Sequence, residues 1–396
     1  MRWNTSGATV AAVVAFGLAA SACISYGAGD PDAVEAGADD RSGSDVDVLP
    51  RDADVPPDGA ADPPGEAARS AVPFDDDPAV DDAALRELSA GQLALAADLL
   101  ELGPAGRNRV LSPVSISMAF AMLSAGVRGS SLTDLEGALH FPAQDHLHQA
   151  MAALLLRLRA SEVPASADSD GVELRPVNQL FQERTFEVLP AYLDELAAHY
   201  DAGVRLVDFV YAADRVRTEI NDWVEEWTRG RIADLLPGDS VTSSTTLVLV
   251  NALYLRAAWA DAFPEYATSD ETFHAASGDR SVPFLCHTTD RARFSRSADA
   301  DVVELRFVGN LVFTVVVPRG GATVDVAGLA ERFASLGTGS LTLHLPRFRT
   351  TTEIDLQEAL GRLGFEVGAC DLSGINAELP SQVSGAYHKA FVGLDE

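Results

Sequence analysis

One apolar run in the middle of the chain carries a single amide. The run covers residues 246–259 and reads TLVLVNALYLRAAW. With a period of two residues, Leu247 and Asn251 fall on one face and Val248 and Val250 on the other, so both faces are apolar. This pattern predicts a central strand that is covered on both sides. A buried amide without a partner costs roughly 1–3 kcal/mol, so Asn251 requires a fixed hydrogen-bond partner.

The spacing of apolar residues before this strand predicts helices with recognisable ends. Leucines within residues 85–102 follow helical spacing, and the Gly-Pro pair at residues 103–104 ends that helix. Ser112 followed by Pro113 predicts the N-cap of a second helix. That helix is apolar nearly all round, so we expect it in the interior.

Further elements mix helices and strands without regular alternation. Ser131, with Asp134 three residues later, predicts a capping box at a helix start. Residues 177–181 and 207–209 have the pattern of short strands, and residues 189–200 that of a helix. Later runs predict strands at 302–307, 311–317, 341–345 and 383–392, and a helix at 356–363. This irregular order indicates an α+β fold rather than a doubly wound sheet.

The N-terminal residues have the pattern of an export signal. Arg2 precedes an apolar run of roughly 13 residues, which is too short to span a bilayer comfortably. The ending LAASAC resembles a bacterial lipoprotein signal, in which the cysteine becomes the lipidated first residue. We expect residues 1–22 to be a signal peptide and Cys23 the lipidation site, which places the protein outside the cell or in the cell envelope. Plain secretion with a free Cys23 thiol is the alternative.

The next segment has the composition of a tether. Between Ile24 and Ala90 there are 18 Asp and Glu against four Arg, with few large apolar side chains. Such a stretch cannot bury enough surface to offset its ordering entropy. We therefore expect residues 23–82 to be a disordered acidic tether and residues 83–396 to be the folded domain. The aspartates in residues 75–82 lack the glycine and ligand spacing of a calcium loop.

Charge and cysteine content exclude several classes of protein. The formal net charge of -30 over 396 residues argues against nucleic acid or an anionic membrane face as a partner. The three cysteines, Cys23, Cys286 and Cys370, form neither a disulfide framework nor a zinc pattern. We expect Cys286 and Cys370 to be buried free thiols, because cysteine commonly behaves as a small hydrophobic residue.

No motif of an enzyme or cofactor site is present. GxSxG, HExxH, P-loop and GxGxxG sequences are absent, and His140, His146 and His148 lack the spacing of metal ligands. A Ser/His/Asp site assembled from distant positions is the open alternative. We expect no enzymatic activity, no cofactor and no metal.

A series of short motifs runs in order through the folded domain. The blocks are SPVSI from residue 112, AMLSAGVRG from 121, VNQLFQ from 177, INDWV from 220, LVLVNALYLRAAW from 247, LTLHLPRFR from 341, LGF from 363, DLSGI from 371 and HKAFV from 388. Each block is weak alone, but the complete ordered series resembles the serpin family. The chain departs from the family pattern at Ala257, where glycine is favoured, and at Cys286 and His287, where methionine and glutamine are usual.

The resemblance implies a serpin fold with three β-sheets and eight or nine helices. It also supplies a partner for Asn251. In the family, the strands that hold Asn251 and His388 flank a gap in the main sheet, and these two residues with Ser112 and Ser115 form a hydrogen-bonded shutter. An imidazole can donate to or accept from a buried amide, so both groups can have a hydrogen-bond partner. An ordinary core network of the same atoms is the alternative. Trp259 corresponds to the breach, the top of the gap where insertion begins.

The resemblance also implies inhibition of a protease rather than catalysis. In the family a serine or cysteine protease cleaves an exposed reactive loop, which inserts as a strand into the gap and traps the enzyme. That loop and the final strands follow the HKAF motif, whereas here the sequence reaches only Glu396. We therefore expect a serpin that is C-terminally truncated before its reactive loop and is not inhibitory in this form.

Three functions follow from these expectations. The first is a surface-tethered serpin whose completed form inhibits serine or cysteine endopeptidases. The second is a non-inhibitory module that accepts a peptide strand from another chain into its main sheet. The third is a non-functional gene remnant. Membrane contact in each case is expected only through lipidated Cys23.

Overall fold

The computed structural model describes residues 10–16, 20–26, 62–103, 108–166, 169–275, 278–319, 325–326, 328–334, 336–376 and 383–396. The helices are α1 (Asp82–Leu102), α2 (Pro113–Ser124), α3 (Ser130–Leu139), α4 (Gln144–Arg159), α5 (Pro190–Tyr200), α6 (Phe209–Trp227), α7 (Leu329–Ala334) and α8 (Leu356–Arg362). None of the helices described is long and apolar enough to cross a membrane.

The strands, in chain order, are β1 (Val10–Phe16), β2 (Ala20–Tyr26), β3 (Glu66–Ala68), β4 (Arg109–Leu111), β5 (Val172–Glu183), β6 (Val204–Val207), β7 (Leu247–Ala257), β8 (Ser269–Ala275), β9 (Gly278–Arg296), β10 (Ala300–Arg306), β11 (Leu311–Pro318), β12 (Gly337–Pro346), β13 (Phe348–Asp355) and β14 (Val383–Leu394). The main sheet has the order β13-β14-β7-β5-β6-β3. The second sheet has the order β12-β9-β10-β11-β1-β2-β4, with β8 paired to β9.

The described strands thus form two hydrogen-bonded sheets where three were expected. The long strand β9 explains the difference. Its first half pairs with β8 while its second half pairs with β10, and β12 pairs with both halves. A continuous backbone ladder through β9 and β12 therefore joins β8 and β10 into one sheet.

The central strand β7 packs against a core on each face, as its sequence predicts. Val248 and Val250 belong to the cluster that includes Phe209 and Ile220 of α6. Leu247 and the residues in phase with it belong to the larger cluster that contains α2. The interior position predicted for α2 is also confirmed, since its twelve residues are all buried and the Ser112 side chain caps its first turn.

Two predictions of local structure are wrong. Helix α3 begins at Ser130 without a side-chain cap. Ser131 and Asp134 do not form the predicted capping box, because the Ser131 hydroxyl accepts a hydrogen bond from the backbone N–H of Asp371 at 3.1 Å. Residues 207–209 are not a strand: β6 ends at residue 207, and the Asp208 side chain caps α6.

The fold begins earlier than the composition suggests. Strand β3, which lies within the predicted tether, pairs with β6 at the edge of the main sheet. Further along, the N–H of Asp75 donates to the carbonyl of Ala198 at 2.8 Å, and the Arg159 guanidinium lies over the Phe74 ring. Residues 62–82 therefore lie on the domain, and the disorder predicted there is wrong. Residues 23–26 of the predicted tether lie in β2, and residues 27–61 fall outside the described residues.

The segment predicted to be an export signal contributes two strands. Strands β1 and β2 form an antiparallel pair that joins β11 on one side and β4 on the other. Cys23 lies in β2, where it is opposite Val13 in β1 and Leu111 in β4. Cleavage before Cys23 would remove β1 and divide β2.

Candidate functional site

Strands β7 and β14 are paired along only half of their length. They run parallel, and their ladder extends from Val383 opposite Leu247 to His388 opposite Asn251. Past this point, residues 252–257 of β7 pair only with β5, and residues 389–394 of β14 pair only with β13, among the strands described. The two facing edges of this unpaired half are called the gap below.

A polar network lies where the ladder ends. Asn251 is fully buried, and its Oδ1 accepts hydrogen bonds from His388 Nδ1 at 2.8 Å and from Ser115 Oγ at 3.1 Å. Its Nδ2 donates to the backbone carbonyl of Ser115 at 2.5 Å and to Asn178 Oδ1 at 2.6 Å. All four hydrogen-bonding positions of the amide are therefore used.

His388 has a defined tautomer in this network. Its Nε2 lies 3.1 Å from the backbone N–H of Ser112, which donates, so Nε2 must be the unprotonated nitrogen. Nδ1 then carries the hydrogen and donates to Asn251 Oδ1. Complete burial lowers the pKa of His388 to about 3, so the ring is neutral at physiological pH.

The N-terminus of α2 brings the serines to this point. Ser112 contributes its backbone N–H to His388, while its side chain accepts from the N–H of Ser115 as the helix cap. Ser115 contributes both its hydroxyl and its carbonyl to Asn251. The four residues named from the family resemblance therefore lie in one network, with Ser112 acting through its main chain.

Asn178 is a fifth member that the sequence reading missed. It lies on β5 directly opposite Asn251 in the antiparallel ladder. The only sequence signal is a polar residue inside the predicted strand at 177–181. Nothing in that pattern specifies the register, and the register alone decides which residue faces Asn251.

Trp259 closes the far end of the gap. Its Nε1 donates to the backbone carbonyl of Asp395, just beyond β14, at 2.9 Å. The indole stacks on Phe307 at 4.6 Å between ring centroids and meets Phe263 and Phe313 edge-on. A single hydrogen bond from an anchored aromatic ring therefore joins the β7 side of the gap to the β14 side.

The segment that follows α6 contacts the unpaired half of β14. Lys389 Nζ donates to the carbonyl of Ala233 at 2.8 Å, and the guanidinium of Arg231 lies over the Phe391 ring. The gap is thus bounded below by the polar network, above by Trp259, and is contacted on one face by residues 231–233. A strand placed between β7 and β14 could pair with both edges, since backbone groups on a free edge act as a template for another strand.

The two cysteines differ in exposure. Cys370 is buried as expected, and burial raises its pKa to about 11. Cys286 is only half-buried, so the expectation of a buried thiol is wrong for this residue.

The histidines also have non-metal partners. His140 pairs with Asp98 at 2.7 Å and His148 with the Tyr200 hydroxyl at 2.7 Å. Within the part of the chain that the structure describes, no three His, Cys, Asp or Glu residues are grouped to hold a metal ion.

Known proteins share this architecture. A family model described as Serpin (serine protease inhibitor) matches residues 92–396. The leukocyte elastase inhibitor of Xenopus tropicalis is 31% identical over 307 residues, which are 73% of this chain and 80% of that protein. The protein Iris of Ixodes ricinus is 33% identical over 317 residues, which are 74% of this chain and 81% of that protein.

Solved structures agree with the sequence relatives. Uncleaved ovalbumin superposes with a TM-score of 0.67 at 23% identity, over 78% of this chain and 90% of its own. Human glycosylated kallistatin superposes with a TM-score of 0.67 at 25% identity, over 78% of this chain and 85% of its own.

Proposed function

The chain belongs to the serpin family, and from this premise we propose that it is the inhibitor scaffold of a serine-type, or alternatively cysteine-type, endopeptidase inhibitor that works by strand insertion. The inserted strand enters between β7 and β14. The polar network of Asn251, His388, Ser112 and Ser115 acts as the shutter, and Trp259 acts as the breach.

The observation that supports this proposal most strongly is the half-paired ladder. The two strands separate at the residue pair Asn251 and His388, where an asparagine and a histidine replace the apolar residues of a sheet interior. Because His388 is neutral, the hydrogen bonds of this pair can be broken and re-formed without burying an unpaired charge. A network of this kind can open and close at a lower cost than an ion pair in the same place.

The gap can be tested with a peptide supplied in trans. We propose an alanine- and threonine-rich peptide of about ten residues, which spans roughly 33 Å as a strand. If the peptide inserts, the melting temperature rises, and at a hundredfold excess over Kd the stabilisation is about 2.7 kcal/mol. Calorimetry with increasing peptide concentration measures this effect.

The matched control is the same peptide with proline at two central positions. Proline cannot donate a ladder hydrogen bond, so this peptide should leave the melting temperature unchanged. Equal stabilisation by both peptides would mean that binding does not occur by strand insertion.

Protease assays separate inhibition from peptide binding. Incubation with serine and cysteine endopeptidases, followed by denaturing electrophoresis, shows whether a covalent complex survives detergent. Such a complex supports inhibition. Peptide insertion without a complex supports the second candidate, a non-inhibitory module that captures a strand from another chain.

We also propose export and lipid anchoring through Cys23. Support comes from the sequence pattern of residues 1–22 that precedes this cysteine. Processing at that site is incompatible with the β1–β2 pair, so the two states exclude each other. Mass spectrometry of the protein from membranes of an exporting bacterial host tests the proposal: intact residues 1–22 in all of the protein would contradict it.

A further inference from the structure

A thiol, an imidazole and a carboxylate lie together on three neighbouring strands. Cys286 on β9 is directly opposite His344 on β12 in the ladder. Glu271 lies on β8, which pairs with the other side of β9. The strands thus bring together three residues that are far apart in sequence.

The contacts between these side chains are directional. His344 Nδ1 lies 2.7 Å from Glu271 Oε1. A carboxylate accepts, so Nδ1 carries the hydrogen, and in the neutral imidazole Nε2 then presents a lone pair. Cys286 Sγ lies 3.8 Å from that Nε2, within hydrogen-bond distance for sulfur. A nucleophile next to a base that is oriented by a third group is the arrangement that activates a thiol.

The site can be reached from solvent. Cys286 is half-buried, and the side chains of His344 and Glu271 are 19% and 26% exposed. The second thiol of the domain provides the contrast. Cys370 is buried, and its Sγ donates to the carbonyl of Val367 at 3.2 Å without an imidazole partner. A low-molecular-weight reagent can therefore distinguish the two thiols in the native protein.

We propose that Cys286 is a reactive thiol that forms a mixed disulfide with small disulfides, with His344 as its base and Glu271 as the positioning residue. His344 Nε2 takes the thiol proton, and the thiolate attacks one sulfur of the disulfide. A new sulfur–sulfur bond forms as the old one breaks, and the departing thiolate takes the proton from His344. The small disulfide is the oxidant, and one of its halves leaves as the reduced thiol.

The test uses the full chain in a Cys23→Ser background and the aromatic disulfide 5,5′-dithiobis(2-nitrobenzoate). The release of the coloured thiol gives the rate, and intact mass identifies the modified residue. We expect one fast reaction per native chain, which is lost in Cys286→Ser and retained in Cys370→Ser.

Variants of the base then separate activation from simple exposure. His344→Ala should slow the reaction at pH 7 about tenfold or more and move its pH–rate profile to higher pH, because the thiolate is the nucleophile. Glu271→Gln should slow it less and shift the profile in the same direction. His287→Ala is the matched control, since this neighbouring imidazole contacts the Phe263 ring instead and should leave the rate within about twofold.

Two results would overturn the proposal. One is a Cys286 rate and pH profile that are unchanged in His344→Ala. The other is a native Cys286 that reacts as slowly as Cys370. If His344→Ala does not fold, His344→Gln provides the same comparison, because glutamine keeps a polar side chain but cannot act as a base.

Discussion

The two halves of the β7–β14 pair are built from similar residues but differ in structure. In the first half, the strands share a parallel ladder that ends at Asn251 and His388. In the second half, each strand keeps its outer partner and loses its inner one. Both halves of β7 are largely apolar, so hydrophobicity does not explain where the pairing stops.

The difference shows that the boundary is set by specific hydrogen bonds. Asn251 joins β7 to α2, to β5 and to β14 at once. Past it, β7 and β14 share no ladder among the described strands, and Trp259 just beyond β7 donates a hydrogen bond to the carbonyl of Asp395 just beyond β14. A five-residue network therefore lies at the end of the paired half, whereas the hydrogen bond of Trp259 bridges the far end of the unpaired half. Substitutions that remove the network or that hydrogen bond test this comparison.

The largest effect is expected from Asn251→Ala. This change leaves polar groups of His388, Ser115 and Asn178 without their partner in a dry site, so we expect a loss of about 3 kcal/mol or more in the free energy of unfolding. Urea denaturation measures it. The matched control is Asn178→Ala, which removes a single partner and should cost about 1 kcal/mol. Equal losses in the two variants would show that Asn251 is not the centre of the network.

Acidification should lower the free energy of unfolding through His388, by less than Asn251→Ala does. His388 has a folded-state pKa of about 3, below the value of 6.5 for an unfolded histidine. The unfolded chain therefore binds more protons between these values, so stability falls as the pH falls from 6.5 toward 3. From pH 7 to pH 5 the contribution of His388 is about 2 kcal/mol.

The pH effect must be separated from that of a second histidine. Burial, followed by the neighbouring His199, lowers the pKa of His148 to about 4, which gives a slope of the same sign. Denaturation curves at several pH values for His388→Gln and His148→Gln separate the two. If the slope of the wild type persists in full in His388→Gln, the assignment of a neutral buried His388 is wrong.

The smallest effect is expected at the far end of the gap. Trp259→Phe keeps an aromatic ring against Phe307 but removes the hydrogen bond to Asp395, so we expect a loss of about 1 kcal/mol and faster peptide insertion. Stopped-flow fluorescence with a labelled peptide measures the rate. Trp227→Phe is the control, because the buried Nε1 of Trp227 has no hydrogen-bond partner among the described residues. If peptide inserts at the same rate into both variants, Trp259 does not act as the breach.

Local sequence patterns determined much of the scaffold. Ser112 and Pro113 predict the start of α2 because capping depends on adjacent residues, and the alternation around Asn251 predicts a strand covered on both faces. The need for a partner to Asn251 follows from the cost of burying an amide. The family motifs then indicated His388, Ser112 and Ser115, which the structure places in contact with or next to it.

Only the tertiary structure decided the rest, because strand register and long-range contacts are not written in local patterns. Asn178 joins the network through the β5–β7 register, Asp208 caps α6 where a strand was predicted, and the Ser131 hydroxyl binds a residue 240 positions away. Cys286 likewise lies in an apolar stretch, yet its strand places it half-exposed beside His344. The sequence by itself determined which groups require partners, and the packing of distant strands decided which partners they have.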